Sequence, residues 1–475
     1  MSQYIGRLKM DKKLLSVAVV GHANTGKTSL IRTLLRDASF GEIADKAGTT
    51  RHVEGAEIRI EDNQNLVIYD TPGLEDSMHL LHTLDTKVDD LLTQAAEAKY
   101  QDGIDRLLDL IQREQDFPEL NQEIKVLKAI LSNDIIFYVI DVREPILGKY
   151  RDELKILTYA AKPIIPVLNF IEEEEVNINA WQTQLARLNL HTFVSFDSVV
   201  FRFSDEMKIY QKMKTLLSSH ELQLEGLIQQ RQQQWLQREQ AAQQLIASLL
   251  IEVAACRFKA ENNEKEIHKE SERLQSKIRL LENQVLNQVL TLYQFKQDDL
   301  DLYDLPIQEG QWELDLFSID NLQEFGIKAT SNFVKGAGMG VAVDLVAAGM
   351  TLGAAAAVGG FAGVLWGVKQ RYYDEMQAKI KGHRYLCADN ITLEILWRRQ
   401  LSLLSALQKR GHASINKVSL KGKGTVATSL PNSWAKWLKR ARQHPQWSPL
   451  NDSDQPLLAD KKKQLINEIA DYLAT

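Results

Sequence analysis

The sequence predicts an α/β fold, a doubly wound and mostly parallel sheet, followed by a mainly α-helical C-terminal region. Three observations carry that expectation. Val17-Ala18-Val19-Val20 is a short apolar run that leads directly into Gly21-His22-Ala23-Asn24-Thr25-Gly26-Lys27-Thr28, and Ser29-Leu30-Ile31-Arg32 then opens a helix. Ile135–Asp141 and Pro163–Asn169 are almost wholly apolar, as strands covered on both faces must be. Residues 206–300 are rich in Gln, Glu, Lys and Leu, with no Pro and the single glycine Gly226.

Strand, glycine-bounded turn and helix N-terminus, in that order, form the setting of a phosphate-binding loop. Its glycines let successive backbone N–H groups point at one centre, and the helix dipole adds positive potential there. The residues Gly21, His22, Ala23, Asn24, Thr25, Gly26, Lys27, Thr28 and Ser29 are therefore expected to hold a nucleoside triphosphate. Lys27 is placed to reach the β- and γ-phosphates, and the Thr28 hydroxyl to bind magnesium.

Composition bounds the remainder. The chain has 475 residues, 44% hydrophobic and 25% charged, which suits a globular protein of two to four domains. Its two cysteines, Cys256 and Cys387, have no metal-site spacing, and Met1–Lys13 lacks the apolar core of a secretory signal. A reduced, cytoplasmic protein is expected, with the inner face of the cell membrane as a second address. The net charge of −6 conceals an asymmetry, because Arg398–Leu450 contains no Asp or Glu but many Lys and Arg. Such a split points to an anionic partner for that end.

After the first helix come Ala47-Gly48-Thr49-Thr50-Arg51, then two strand-like runs, Val53–Ile60 and Leu66–Tyr69, across a polar turn. The second run ends in Asp70-Thr71-Pro72-Gly73. An acid at the carboxyl end of a strand beside the phosphate loop is where a magnesium-associated Asp belongs, and Gly73 can bring its N–H to a γ-phosphate. Residues 74–132 read as a helical insertion packed onto the core, with apolar positions three and four apart (Leu81, Leu84, Val88, Leu91, then Leu107, Leu108, Ile111).

Phosphate loop, Gly-Thr-Thr-Arg and Asp-Thr-Pro-Gly together resemble the Era/TrmE-like, translation-factor-class GTPases, over roughly residues 14–203. The resemblance implies GTP and GDP as ligands, GTP hydrolysis, and magnesium held by Thr28, Thr50 and, through water, Asp70. It also implies guanine reading by Asn169 and Glu172, where the family's Asn-Lys-x-Asp becomes Asn169-Phe170-Ile171-Glu172, and by Ser195 in a Ser195-Phe196-Asp197 element. Leu74 occupies the place where many GTPases carry a water-orienting Gln, and a leucine cannot orient water. Asn24 matches the residue through which TrmE-like members hold potassium against the phosphates; a turn-stabilising amide is the competing role. Lys27, Thr50 and Asn24 are thus the catalytic candidates.

Four regions follow from the composition: a GTPase domain over 1–205, long helices or a coiled coil over 206–332, a Gly/Ala-rich segment over 333–370, and a basic helical region over 371–475. Leu345–Val368 carries no charge over 24 positions, and glycines recur four apart (Gly349/Gly353, Gly359/Gly363/Gly367), a spacing that suits a membrane hairpin or a tight soluble helix pair. The arrangement resembles bacterial proteins that join an Era-like GTPase to an uncharacterised C-terminal domain. The expectation is a GTP-hydrolysing switch that controls a helical, membrane-associated region, with self-association through the long helices. An RNA- or ribosome-binding assembly GTPase, or a weakly hydrolysing scaffold, is the alternative. Nucleic acid is the less favoured partner, because no KH or OB signature is present and RNA binding does not call for 24 uncharged residues.

Overall fold

The computed structural model describes residues 14–36, 54–60, 64–87, 102–171, 176–198, 201–293, 307–308, 311–312, 314–318, 327, 341–344, 383–409, 430–451 and 459–474. The chain divides into two compact units, residues 1–235 with 408–416 and residues 236–407 with 417–475.

The first unit runs β1 (Leu15–Val20), α1 (Lys27–Leu35), β2 (Glu54–Ile60), β3 (Gln64–Asp70), α2 (Ser77–His82), α3 (Gly103–Gln112), α4 (Asn121–Ser132), β4 (Ile135–Asp141), α5 (Gly148–Tyr159), β5 (Ile164–Asn169), α6 (Ile178–Arg187), β6 (Val194–Ser195), α7 (Phe203–Leu216) and the start of α8 (Glu221–Ala255). Six strands form one sheet in the order β2-β3-β1-β4-β5-β6. Only the β2–β3 pair is antiparallel. Every residue of β1, β4 and β5 is buried, which explains why their sequences do not alternate. Val17, Val19, Phe137, Val139 and Val167 face the layer containing α1, α7 and early α8. Ala18, Val20, Ile136, Tyr138 and Leu168 face α2 through α6. Strand order reverses at β1, so the crevice for a ligand lies at the carboxyl ends of β1 and its neighbours.

The described part of residues 74–132 is helical and belongs to this unit. Leu80, Leu84, Leu107, Leu110, Leu120, Ile124 and Leu127 pack into the same core as β4. The domain boundary expected at 205 lies too early. Met207, Ile209, Tyr210 and Met213 of α7 and Leu224, Leu227 and Ile228 of α8 all bury against the sheet. A charged cluster ties these helices to the end of α1: Arg36 reaches Glu206 at 3.2 Å, and Arg231 donates to the Leu34 carbonyl at 3.1 Å.

The second unit takes up α8 from Leu236 and continues with β7 (Phe258–Glu261), α9 (Glu264–Leu292), β8 (Ile307–Gln308), β9 (Gln311–Trp312), β10 (Val341–Asp344), β11 (His383–Ala388), α10 (Asn390–Lys409), α11 (Trp434–Arg442) and α12 (Ala459–Leu473). Described residues of two regions that composition separates, 206–332 and 371–475, share one core here. Ile246, Leu250 and Val253 of α8 join Leu274, Ile278 and Val285 of α9, Leu396 and Trp397 of α10, and Leu465 and Ile469 of α12. The long helices are therefore walls of a domain, where the sequence suggested a separate region of long helices or coiled coil. A three-stranded antiparallel sheet, β10-β11-β7, completes it.

Two sequence features change meaning. Trp434, Trp437 and Trp447, interleaved with the basic residues, are core side chains and offer no stacking face. Several basic residues are paired: Arg398 with Glu394, Arg440 with Glu468, and Arg399 with the buried Glu282 at 3.1 Å. Leu345–Val368 lies outside the described residues. Among those described, no helix is long and apolar enough to cross a membrane.

Candidate functional site

The first turn after β1 builds the site. Gly21 has φ 155°, and a Cβ there would stand 2.5 Å from the Val139 carbonyl of β4. Gly26 has φ +91° and faces the side chains of Asn169 and Phe170, so any larger residue would be strained and obstructed. These two positions require glycine for separate reasons, one a close approach and the other a left-handed backbone.

Lys27 is buried, and its ammonium donates to the carbonyls of Gly21 at 3.1 Å and His22 at 2.8 Å. Burial lowers its pKa, opposed by the charges of Asp70, Glu153 and Glu75. A triphosphate would supply the counter-charge that burial makes valuable. Thr28 donates from its hydroxyl to Asp70 Oδ2 at 2.5 Å, joining the loop to the end of β3. Asp70 is 1% exposed, and its second oxygen, Oδ1, accepts no hydrogen bond. Burial raises its pKa; the Thr28 hydrogen bond and the Lys27 charge act the other way. A hydroxyl and an orphaned carboxylate oxygen side by side are the hard donors that magnesium takes, so these residues fit the ion. Thr50, its third expected partner, lies outside the described residues.

Gly73 approaches the loop closely, its Cβ position 3.0 Å from the Ala23 N. Leu74 is fully buried and belongs to the core. Asp76 caps α2, its carboxylate accepting from His79 N at 3.1 Å. Asn24 is exposed in the left-handed region at φ 62°, a conformation that asparagine tolerates better than most residues.

On the base side, Asn169 stands at the end of β5, 1% exposed. Its amide donates to the Thr25 carbonyl at 2.9 Å, while its Oδ1 accepts from Phe170 N at 3.0 Å and Ser198 N at 2.9 Å. Ser195 lies within β6, and Ser198 is the residue that meets Asn169. Phe170 takes the left-handed conformation at φ 61° and turns its ring toward Gly26. The Arg143 guanidinium lies 3.8 Å from the centre of that ring and is held by Asp141 through a two-pronged ion pair at 3.0 and 2.7 Å. Glu172 lies outside the described residues.

Sequence reasoning missed Arg143, Ser198 and two groups around Asp-Thr-Pro-Gly. Gln122 donates to the Gly73 carbonyl at 3.3 Å, and Glu123 accepts from Asp76 N at 3.3 Å. Both sit on α4, far away in sequence, and no local motif announces them. The Asn169 contacts carry a specific expectation. Asn169→Ala leaves the Thr25 carbonyl and the N–H groups of Phe170 and Ser198 without partners, at a cost of about 1–3 kcal/mol for each. Thermal unfolding is expected at lower temperature, together with faster release of a fluorescent GDP; unchanged values for both would remove Asn169 from the loop's support.

Comparison with known proteins agrees with this geometry. Residues 16–170 match the family profile described as 50S ribosome-binding GTPase. A segment of 83 residues is 32% identical to GTPase Der of Nautilia profundicola, covering 17% of this chain and 18% of that protein. Another of 75 residues is 39% identical to translation initiation factor IF-2 of Phenylobacterium zucineum, covering 15% and 7%. The chain thus spans less than a fifth of the length of these curated relatives. Among solved structures, an Era variant of Aquifex aeolicus bound to GDP and AlF4− aligns at 21% identity and a TM-score of 0.27, over 39% of this chain and 52% of that one. The G domain of FeoB from T. maritima aligns at 20% identity and 0.24, over 42% and 99%. The profile match over residues 16–170, together with the mostly parallel sheet and the phosphate loop after β1, gives the N-terminal unit a P-loop GTPase fold. Because residues 182–471, well over half of the 475, match the profile described as Domain of unknown function (DUF3482), the chain belongs to the DUF3482 family.

Proposed function

We propose that this protein binds GTP with magnesium, hydrolyses it to GDP and phosphate, and uses the difference between the two states to control its largely helical C-terminal region. The observation that carries the reading is the meeting of Thr28 and Asp70 beside the buried Lys27, with the second Asp70 oxygen left for a cation. Lys27 neutralises the β- and γ-phosphates, and Thr28 and Asp70 hold magnesium together with Thr50. Magnesium would supply charge neutralisation between the phosphate oxygens. Asn169 keeps the loop in register, and Phe170 and Glu172 take the sequence positions of the family's Lys and Asp, with guanine reading assigned to Glu172. Control passes along α8, whose first half contacts the nucleotide unit through Gln223 on the Asn65 carbonyl, Gln230 on the Arg59 carbonyl and Arg231 on the Leu34 carbonyl.

Lys27→Ala removes a charge-assisted contact worth about 3 kcal/mol, so nucleotide affinity is expected to fall roughly a hundredfold. A variant that binds GTP like the wild type would remove the loop from the site. GTP is expected to displace a bound fluorescent nucleotide far better than ATP; equal displacement would show that Asn169-Phe170-Ile171-Glu172 no longer selects guanine.

With Leu74 unable to orient water, the further catalytic charge in this reading is a potassium ion held by Asn24. Turnover is then expected to rise when potassium replaces sodium, and Asn24→Ala to erase the difference. Equal rates in both salts would leave Asn24 as a turn residue.

A membrane is the second partner in this reading. Asp344 of β10 pairs with Tyr385 of β11, so the chain that leaves after Asp344 returns to the neighbouring strand at His383. Such an excursion suits a hairpin that enters and leaves on one side. As helix, 24 residues would reach about 36 Å against a hydrocarbon core of roughly 30 Å, although 13 of them are Ala or Gly. The expected result is flotation with anionic liposomes that is lost in Val346→Glu with Val358→Glu while the protein stays folded. The family description of residues 16–170 favours a ribosomal partner instead. Co-sedimentation with 50S subunits, without flotation, would decide for that alternative.

A further inference from the structure

We propose that His22 is a positioning residue for nucleotide binding and turnover: its imidazole, fixed between Glu153 and Lys149, holds the backbone carbonyl that directs Lys27. The proposal rests on the reading of the loop as a nucleotide site and adds a residue outside the glycine, lysine and threonine positions of the motif.

The imidazole is constrained on several sides. Nδ1 lies 2.8 Å from Glu153 Oε1, and Nε2 lies 2.8 Å from Lys149 Nζ. An ammonium can only donate, so Nε2 accepts from Lys149 and Nδ1–H donates to Glu153. The edge of the ring meets Tyr150 at 5.4 Å between centroids and 89° between planes. Glu153 is fully buried, and its other oxygen accepts from the Tyr138 hydroxyl at 2.6 Å. Every donor and acceptor in the line Lys149, His22, Glu153, Tyr138 is matched in direction.

What this line holds is the loop itself. The His22 carbonyl accepts from Lys27 Nζ at 2.8 Å and from Thr25 Oγ1 at 3.0 Å. The side chain is anchored to α5 and β4, so the carbonyl cannot rotate without breaking two charge-assisted contacts. The same first turn of α5 also receives α2: Ser77 Oγ donates to the Lys149 carbonyl at 3.0 Å. One helical turn therefore carries both the anchor of the phosphate loop and the start of the helix that follows Asp-Thr-Pro-Gly. A loop that only needed to turn would not require an imidazole here, nor a carboxylate buried behind it.

The test compares His22→Ala, His22→Asn, Glu153→Gln and Tyr138→Phe in the full-length protein. Affinities for GDP and a non-hydrolysable GTP analogue are measured with kcat and KM, and folding is followed by thermal melting. His22→Ala is expected to weaken the analogue about tenfold and GDP less, because Lys27 serves the γ-phosphate, and to lower kcat. His22→Asn, whose amide reproduces the Nδ1 donor, is expected to recover most of the loss. Glu153→Gln, which cannot accept from both His22 and Tyr138, should repeat the His22→Ala defect, and the double variant should be no worse than either single one. Tyr138→Phe leaves the fold and the His22 contact in place, and a smaller loss of the same sign is expected. Wild-type kcat and affinities in folded His22→Ala, or equal losses for GDP and analogue with no recovery by Asn, would overturn the proposal. A wild-type protein that binds no nucleotide would instead overturn the reading of the loop.

Discussion

Three hydrogen bonds from one buried amide hold the nucleotide unit's working end together. Asn169 joins the phosphate loop through the Thr25 carbonyl, its own strand end through Phe170 N, and the loop after the last strand through Ser198 N. Each partner is a backbone group that would otherwise be buried without a mate, a penalty of about 1–3 kcal/mol apiece. The amide therefore fixes the relative heights of three segments far apart in sequence. Gly26 has to be glycine because this amide and the Phe170 ring occupy the space beside it. Lys27 follows Gly26 directly, so its origin on α1 is set by the same contact.

The nucleotide unit was largely legible in the sequence because its signals are local. A strand that is apolar at every position, a glycine-bounded loop and an acid at a strand end each depend on neighbours within a few residues. The errors came where meaning depends on distant partners. Ser198, whose backbone N–H reaches Asn169, lies in the loop after the last strand, where no hydrophobic pattern announces it. The domain boundary moved past α7 because Gln- and Lys-rich helices can still bury one face, as Met207, Tyr210 and Leu227 do.

The C-terminal unit was harder to read for a related reason. The 3–4 spacing of Leu274, Ile278, Leu281 and Val285 fits a coiled-coil seam and a helix lining a domain core equally well. What decides between them is the supply of facing surface from α8, α10, α11 and α12, hundreds of residues away in part. The buried Glu282–Arg399 pair belongs to this non-local class. Such a pair contributes less net stability than an apolar pair of the same volume, yet removing one partner is costly, so it favours one registry of α9 against α10. Trp434, Trp437 and Trp447 are non-local in the same sense: they stand among basic residues in sequence and fill the core in space.

Charge around the phosphate loop follows a single constraint. The described residues place three carboxylates, Asp70, Glu153 and Glu75, close enough to act on Lys27, whose own charge is disfavoured by burial; Asp70 and Glu153 are the buried two. A triphosphate adds several negative charges at the same place, so any buried carboxylate nearby is repulsive unless its field is spent elsewhere. Asp70 is matched to a cation through its orphaned oxygen. Glu153 has no such outlet and is instead closed off by His22 on one oxygen and Tyr138 on the other, with Lys149 balancing it through the imidazole. The base side repeats the pattern. Asp141 holds the Arg143 guanidinium, whose plane covers Phe170. In both places a carboxylate is paired by residues outside the fixed positions of the short motif, on or just after the neighbouring strand and helix. The motif's residues are therefore a poor guide to the site unless the charges of β4 and α5 are read with them.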